Sequence, residues 1–421
     1  MNSSRHLLVL CFGILFSFSK VSLAAPADTT ITTLNNVHQG NGSGLGTRTV
    51  VDTFFFPEDI SMYSEIKLRV TLSCPTGGCD PWDRFANVSV FHEAEWYEIG
   101  RYITPYGKAC GWLLDVSDYR LMLTDTVIIK SFIDTWTNPG WLVKLDFEFT
   151  LGIPVYENIQ IENLWYTENL VYGDANNPSV LPVISKTIDV DALAVKFKMV
   201  NTGHGQGNTD NAAEFSQKTH SLYIDGFLAN THLLWRADCA TNPCSPQSGT
   251  WQYNRAGWCP GADALPVYFD LTSVVSPGQT IDLDYRLQNY VNACSPANPG
   301  CVTGSTCADC NYNYNGHTEP HYKISGQLIT YKSSNVGIKS LNNENPVLIS
   351  PNPSNGIFKV QSGTNVLSGT IEIFDVIGNI VFKCQMTSEI QSVDLSGLAK
   401  GTYVLKYYSS LGSTVKRVLL Q

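Results

Sequence analysis

The chain of 421 residues is too long for one ordinary domain, and its length predicts about two to four domains. Hydrophobic residues make up 43% of it and charged residues only 15%, which supplies material for packed cores and argues against disorder. The formal net charge of -10 argues against nucleic acid as a ligand, because proteins of that class present basic surfaces.

The first 24 residues have the pattern of a signal peptide. Arg5 precedes an apolar run from Leu7 to Phe18, and Ser22-Leu23-Ala24 follows as a cleavage site. The run is too short to span a bilayer. We therefore expect residues 1–24 to be removed and the mature chain to begin at Ala25, in an oxidising environment.

Period-two segments dominate the mature chain. Apolar and polar residues alternate over 66–72, 145–149, 195–199 and 281–287, as in half-buried strands. No convincing helical period is longer than two turns. The pattern predicts an all-β protein of sandwich or barrel type.

Two interruptions of the strand pattern predict the domain boundaries. Gly152-Ile153-Pro154 interrupts the strand pattern, and a polar stretch runs from Ser333 to Asn345. We expect an N-terminal domain over 25–153, a second domain over 154–332, a linker over 333–345 and a terminal domain over 346–421.

The terminal domain contains four short sequence motifs in a characteristic order. These are Ser350-Pro351-Asn352-Pro353, the Gly378-Asn379 turn, Lys400-Gly401-Thr402-Tyr403 and the final Lys416-Arg417-Val418. Together they resemble the C-terminal sorting domain of the type IX secretion system. The resemblance implies a small β-sandwich and a secreted or cell-surface protein that passes through the periplasm and outer membrane. A Greek-key adhesion module is the alternative.

Three loops together supply acids, arginines and tryptophans. The first runs from Cys74 through Asp83 and Arg84, the second from Gly203 to Glu214, and the third from Asn254 to Gly261. Hydrolytic sites need such groups to converge from different loops. Each loop alone also fits an ordinary surface turn, so the prediction depends on their combination.

Together with Glu95–Arg101 and Asp134-Thr135-Trp136, the loops resemble the peptide-N-glycosidase F family from Ala25 to about Tyr331. The resemblance implies two side-by-side antiparallel jelly-roll sandwiches with a substrate groove between them. It also implies an amidase that cleaves between asparagine and the first N-acetylglucosamine of N-linked glycoproteins and glycopeptides. The products would be aspartate and a glycosylamine.

The resemblance assigns roles to ten residues. Asp83 is the primary catalytic carboxylate, Glu214 polarises the water or stabilises the intermediate, and Asp134 is a third acid thought to bind sugar. The positions implied to contact the chitobiose core or line the cleft are Arg84, Arg255, Trp82, Trp136, Trp258, Ile103 and His204. His204 could equally be a hydrogen-bonded loop residue.

Three features depart from the family pattern. Asp134 replaces a glutamate, which shortens that acid by one methylene group and puts substrate affinity at risk. Ala212 and Ser216 replace two cysteines that flank the catalytic glutamate, so the disulfide that would order this loop is missing. Either packing takes over that role or the loop is looser. Thr202 replaces a tryptophan of the cleft wall.

The cysteines suggest a disulfide framework. Cys74 and Cys79 are close enough for a short bridge, and Cys239 with Cys259 matches a family bridge. We expect two local bridges among Cys294, Cys301, Cys307 and Cys310. Cys110, Cys244 and Cys384 remain, and the odd total leaves at least one thiol unpaired or intermolecular. A zinc site of Cys307, Cys310, His317 and His321 is a weaker alternative.

Three rival functions fit parts of the pattern. A glycan-binding jelly roll would keep the tryptophans without catalysis, and a glycosidase also uses paired carboxylates. A copper monooxygenase needs paired histidines that the chain lacks. We expect a monomeric amidase with no cofactor, no metal and no nucleic-acid partner, exported by the type IX machinery.

Overall fold

The computed structural model describes residues 27–41, 47–174, 181–206, 209–313, 319–332, 347–362, 369–409 and 412–421. The predicted signal peptide and the predicted linker over 333–345 lie outside these residues, as does His317. Within the described ranges, no helix has the length and apolar character that crossing a membrane would require.

The chain divides into two compact units, residues 1–333 and 334–421. The described residues of the first unit form seventeen strands: β1 (Thr29–Gln39), β2 (Thr49–Phe55), β3 (Tyr63–Ser73), β4 (Phe85–His92), β5 (Glu95–Ile103), β6 (Cys110–Asp115), β7 (Thr126–Ile133), β8 (Trp141–Leu151), β9 (Asn158–Val171), β10 (Ile184–Thr187), β11 (Ala192–His204), β12 (Lys218–Ile224), β13 (Phe227–Leu234), β14 (Ala262–Asp263), β15 (Val267–Asp270), β16 (Thr280–Arg286) and β17 (His321–Lys332). Three short 3-10 turns cover Ser117–Met122, Thr209–Asn211 and Cys239–Thr241.

The first jelly-roll sandwich consists of two antiparallel sheets, in the orders β1-β8-β3-β6 and β14-β5-β4-β7-β2. Side chains alternate across a strand, so β3 directs Ile66, Leu68, Val70 and Leu72 into the space between the sheets. All four are essentially inaccessible to solvent. The predicted strand at 66–72 is confirmed.

The second sandwich has the sheet orders β15-β11-β17-β9 and β10-β16-β12-β13. Phe197 of β11 and Leu283 of β16 meet in its core. β11 departs from simple alternation, because Lys198 is also buried and donates a hydrogen bond to the Tyr119 hydroxyl (2.8 Å). One face of β11 covers the second core and the other lies against the first sandwich.

A buried polar network joins the two sandwiches. Arg101 and Glu98 of β5 form an ion pair at 2.7 Å, with both side chains about 1% exposed. The same guanidinium donates to Thr202 Oγ1 (3.2 Å) and to the Lys323 carbonyl (2.7 Å) of the second sandwich. Leaving a buried charge without its partners would destabilise the fold by about 3–5 kcal/mol. The two sandwiches therefore pack in the arrangement that keeps the bonds of the Arg101 guanidinium.

The unit over residues 334–421 is a separate β-sandwich with its own core. Its strands are β18 (Leu348–Ser350), β19 (Ile357–Gln361), β20 (Gly369–Phe374), β21 (Ile380–Met386), β22 (Ile390–Asp394), β23 (Gly401–Ser409) and β24 (Gly412–Leu420). They form the antiparallel sheets β18-β19-β22 and β21-β20-β23-β24. The all-β prediction is confirmed for both units.

Among its described residues, the first unit contains five disulfides, four of which lie within loops, while one joins a strand to a loop. They are Cys74–Cys79, Cys110–Cys244, Cys239–Cys259, Cys294–Cys307 and Cys301–Cys310. Among the described cysteines only Cys384 is free. The zinc interpretation is wrong, because Cys307 and Cys310 each form a disulfide.

The Cys110–Cys244 bridge joins β6 of the first sandwich to a loop of the second, across 134 residues of sequence. We predict that replacing both cysteines by serine lowers the free energy of unfolding by about 5 kcal/mol, because a long closed loop restricts the unfolded chain strongly. Urea denaturation measures the change.

The matched control removes Cys301–Cys310, which spans only nine residues. The same chain-entropy reasoning gives it a smaller loss, about 3 kcal/mol. Equal losses for the two double variants would contradict the prediction.

Candidate active site

A cleft of about 540 Å³ lies between the two sandwiches. Loops after β3 and β7 supply one wall, and the loops after β11 and β13 together with the start of β17 supply the other. The candidate residues that line it are Trp82, Asp83, Arg84, Asp134, Trp136, His204, Glu214 and Trp258. Residues far apart in sequence therefore converge on one space.

Asp80 organises the loop that carries Asp83. Its fully buried carboxylate accepts hydrogen bonds from the Trp82 amide (3.0 Å), Arg84 Nε (2.7 Å) and Thr135 Oγ1 (2.5 Å). Arg84 is thus held by an ion pair within its own loop, and Thr135 ties the loop to the Asp134–Trp136 segment. Asp83 is positioned on a backbone fixed from both sides.

The Asp83 carboxylate is surrounded by donors. Tyr106 donates its hydroxyl hydrogen to Asp83 Oδ2 at 2.8 Å, and Arg255 Nη2 lies 4.0 Å from the same oxygen. Burial raises the pKa of Asp83 above its ordinary value, whereas Arg255 and Tyr106 lower it. Such a carboxylate is a stronger base than an exposed aspartate.

Arg255 connects Asp83 with Glu214. The Arg255 side chain is 1% exposed, and its Nε donates to Glu214 Oε1 at 3.0 Å. Its remaining nitrogens donate to the Tyr253 carbonyl (2.6 Å) and Thr250 Oγ1 (2.9 Å). Each of its three nitrogens therefore donates a hydrogen bond, and the guanidinium forms an ion pair with both acids.

Glu214 is also buried, with 14% of its side chain exposed. Burial raises its pKa to about 7, although Arg255 opposes the shift and the nearby Asp83 charge adds to it. Burial thus makes both carboxyl groups bind a proton more readily than exposed acids do, which is typical of the acids and bases of hydrolytic sites.

Packing orders the Glu214 loop where the family pattern has cysteines. Ala212 is fully buried in the second core, and Ser216 is only 9% exposed. Backbone bonds connect Glu214 N to Gly205 O (3.2 Å) and Ala256 N to Glu214 O (2.8 Å).

An aromatic stack forms the wall of the second sandwich. His204 stacks between Trp258 (5.2 Å between centroids) and His321 (5.5 Å), and its Nε2 bonds to Thr202 Oγ1 (2.9 Å). Thr202 is buried and also receives a bond from Arg101, so it serves the packing of the sandwiches.

Tryptophans and Ile103 differ in their exposure. Trp82 (57% exposed) and Trp136 (61%) are open to solvent, whereas Trp258 lines the cleft but is only 3% exposed. Ile103, at 1%, packs behind Phe85 and Trp258 and supports the wall from beneath.

Asp134 lies on the same side of the cleft as Trp136. Arg48 Nη1 donates to Asp134 Oδ1 at 2.9 Å, and the Arg48 guanidinium lies 4.1 Å from the Trp136 ring centroid. Asp134, Arg48 and Trp136 form a small group at the edge of the cleft.

The sequence reasoning did not assign roles to four residues at or beside the cleft: Arg48, Tyr106, Thr250 and Lys323. His321, considered only as a ligand of the alternative zinc site, also lines the cleft. Tyr106 lies three residues after Ile103, and this proximity is the sequence signal that could have marked it. Arg48, Thr250 and Lys323 lack a neighbouring motif. His220 is buried in the second sandwich beside Tyr285.

Comparison with known proteins shows the family to which the chain belongs. Residues 172–304 match the family model described as "Peptide-N-glycosidase F, C terminal". The chain is 31% identical over 286 residues to the peptide-N(4)-(N-acetyl-beta-D-glucosaminyl)asparagine amidase F of Elizabethkingia miricola, covering 64% of this chain and 80% of that protein. The chain belongs to the peptide-N-glycosidase F family. Membership places it among N-glycan-removing amidases.

Solved structures show the same architecture. Peptide-N-glycosidase F from Flavobacterium meningosepticum, described as a glycosylasparaginase, matches with a TM-score of 0.63 and 28% identity over 73% of this chain and 96% of that one. PNGF-II matches with a TM-score of 0.54 and 16% identity over 73% and 66%, which shows the fold alone. Both comparisons support the two-sandwich jelly-roll fold.

The last part of the chain matches a different family. Residues 348–421 match the model described as "Secretion system C-terminal sorting domain". The predicted type IX sorting domain is confirmed, and the protein is secreted or displayed at the cell surface.

Replacing Tyr106 by phenylalanine tests the environment of Asp83. The hydroxyl stabilises the charged carboxylate, so its removal is expected to raise the pKa of Asp83 further. Carbon-13 NMR titration of labelled aspartates measures this, with Asp83→Asn assigning the resonance. The control Tyr63→Phe removes a hydroxyl that bonds to the Ala27 carbonyl, outside the cleft. An unchanged Asp83 titration in Tyr106→Phe would contradict the prediction.

Proposed function

We propose that this member of the family hydrolyses the side-chain amide bond of glycosylated asparagine, releasing the glycan as a glycosylamine and leaving aspartate. The observation that carries the proposal is the pair Asp83 and Glu214 held by one buried arginine in a cleft between the sandwiches. Amide hydrolysis requires an activated water, stabilisation of an oxyanion and a proton for the leaving amine.

Asp83 is the base in this proposal. It accepts a proton from water as the hydroxide forms a bond to the side-chain carbonyl carbon of asparagine. The burial that raises the pKa of Asp83 favours this proton transfer. Asp83 then returns the proton to the amide nitrogen, the carbon–nitrogen bond breaks, and glycosylamine leaves. The glycosylamine later loses ammonia in water.

Glu214 acts in its ionised form. It polarises the attacking water from a second direction, and Arg255 fixes its carboxylate through the 3.0 Å bond. Because the other nitrogens of Arg255 are also engaged, Arg255 chiefly positions the acids.

Arg84 is the better candidate for stabilising the oxyanion. Its Nε and Nη2 bind Asp80, whereas its Nη1 has no hydrogen-bond partner among the residues the structure describes. A guanidinium anchored on one side presents its remaining donors with little loss of entropy.

The glycan would occupy the part of the cleft near Trp136 and Asp134. Exposed indole rings pack against the apolar faces of sugar rings, and a carboxylate accepts hydrogen bonds from sugar hydroxyls. The chitobiose core of N-glycoproteins and glycopeptides supplies both kinds of surface. Trp82 offers a second exposed ring beside the catalytic aspartate.

Mass spectrometry tests the reaction directly. A defined N-glycopeptide incubated with the mature protein in heavy-oxygen water should yield free glycan and a peptide whose new aspartate carries the heavy oxygen. Asp83→Asn should lower the rate about a thousandfold while preserving the fold, because it removes the base without changing shape.

The other outcomes identify the rival functions. An asparagine that retains one sugar would mean a glycosidase. Binding without any cleavage would mean a glycan-binding protein. Wild-type turnover by Asp83→Asn would refute the role of Asp83.

The pH dependence tests the role of Glu214. Its pKa of about 7 means that the carboxylate is ionised above that pH and protonated below it. We therefore expect kcat/KM to rise as the pH increases through about 7, and to fall as the pH decreases. Glu214→Gln should lower the rate and remove this limb of the profile, since no titrating carboxyl remains. A wild-type profile that is flat between about pH 6 and pH 8 would contradict the assignment.

A further inference from the structure

Arg48 lies behind the sugar-facing side of the cleft and contacts two of its residues. Its Nη1 donates to Asp134 Oδ1 at 2.9 Å, and its guanidinium lies 4.1 Å from the centroid of Trp136. Arg48 is not among the residues that line the cleft. The residues through which it would act on a ligand in the cleft are Asp134 and Trp136, which both line it.

The backbone of Arg48 is firmly anchored. Its carbonyl accepts hydrogen bonds from Ile133 N (3.0 Å) and from the side chain of the fully buried Gln39 (2.8 Å). β2 begins at the next residue and pairs with β7, the strand that leads into Asp134. The guanidinium thus projects from a rigid base.

A second contact braces the same loop. Asn41 N donates to the Thr137 carbonyl at 3.0 Å, and Asn41 Nδ2 donates to the Trp136 carbonyl at 3.4 Å. Asn41 and Arg48 therefore hold the backbone of the Asp134–Thr137 loop and its Asp134 and Trp136 side chains.

The ion pair leaves half of the Asp134 carboxylate available. Oδ1 is bound to Arg48, whereas Oδ2 has no hydrogen-bond partner among the residues that the structure describes. The cation also covers one face of the Trp136 ring, yet 61% of this residue stays exposed. One acceptor atom and one ring face remain for a ligand.

We propose that Arg48 is a positioning residue for sugar binding, which fixes the Asp134 carboxylate and the Trp136 ring in the geometry that receives the first sugars of the glycan. The proposal rests on the proposed function and adds a determinant of substrate affinity to it. Asp134 is one methylene group shorter than the glutamate of the family pattern, so it has less reach. Arg48 offsets this by reducing the conformational freedom that binding would otherwise have to remove.

An exposed ion pair alone would contribute little. Three features make this one different: the anchored backbone, the contact of the cation with an indole face, and side chains only about one third exposed. An arginine is suited to both contacts at once, because its planar cation can stack and donate simultaneously.

The test compares Arg48→Ala and Arg48→Lys with the wild type. For Arg48→Ala we expect KM for a chitobiosyl glycopeptide to rise about tenfold and kcat to stay within about twofold, the pattern for loss of ground-state binding. Arg48→Lys should recover part of the affinity, since lysine keeps the charge without the planar fork. The matched control is Arg69→Ala, which breaks the Arg69–Glu148 pair (2.6 Å) of β3 and β8 outside the cleft.

A double-mutant cycle separates positioning from a general loss of structure. If Arg48 acts through Asp134, then Asp134→Ala should cost much less affinity in the Arg48→Ala background than in the wild type. Additive losses, or a fall in kcat with unchanged KM, would overturn the proposal. Thermal unfolding of each variant shows whether the fold is retained.

A binding measurement keeps the two proposals distinguishable. The dissociation constant of the same glycopeptide is measured by calorimetry for Asp83→Asn and for Asp83→Asn/Arg48→Ala. If the wild type releases no glycan, the proposed function fails, yet a tenfold weaker binding of the double variant still supports Arg48. Equal binding by the two variants overturns the role of Arg48 whatever the wild type does.

Discussion

A buried positive charge determines the arrangement of the candidate site. The Arg255 guanidinium is almost inaccessible to water, and an isolated charge in that position would be strongly destabilising. It is compensated by Glu214 of its own sandwich and, at longer range, by Asp83 of the other. The requirement to neutralise this cation therefore keeps two acids together in a place where they would otherwise repel each other.

The junction of the sandwiches repeats the same physical pattern beneath the cleft. Arg101 pairs with Glu98 inside the first sandwich and donates to the second through Thr202 and Lys323. Apolar contacts are not directional, so they alone would allow the two sandwiches to shift relative to each other. Directional bonds to a buried guanidinium hold them in one register, and the distance between the walls of the cleft is fixed with them.

The sequence predicted much of this architecture because strands leave a local signal. The alternation of residues 66–72 follows directly from a sheet with one buried face. The same reasoning treated Lys198 as part of an alternating strand and missed its burial, because the second face of β11 is covered by a partner far away in the chain.

Contacts between distant loops were the hardest to foresee. The acids and arginines could be named from motifs, but the Tyr106–Asp83 bond and the Arg48–Asp134 pair depend on how separate loops meet. The same limit applies to Cys110 and Cys244, which the sequence left without a partner. Nothing in their spacing indicates that they come together.

Three of the five disulfides involve the loops that build the cleft. Cys74–Cys79 precedes Asp83, Cys239–Cys259 encloses Arg255, and Cys110–Cys244 connects the sandwiches. Thiols remain reduced in the bacterial cytoplasm, so these constraints form only after export. The arrangement of the candidate site is thus coupled to location: the newly made chain lacks the covalent links that fix its loops, and it acquires them only after it has left the cytoplasm.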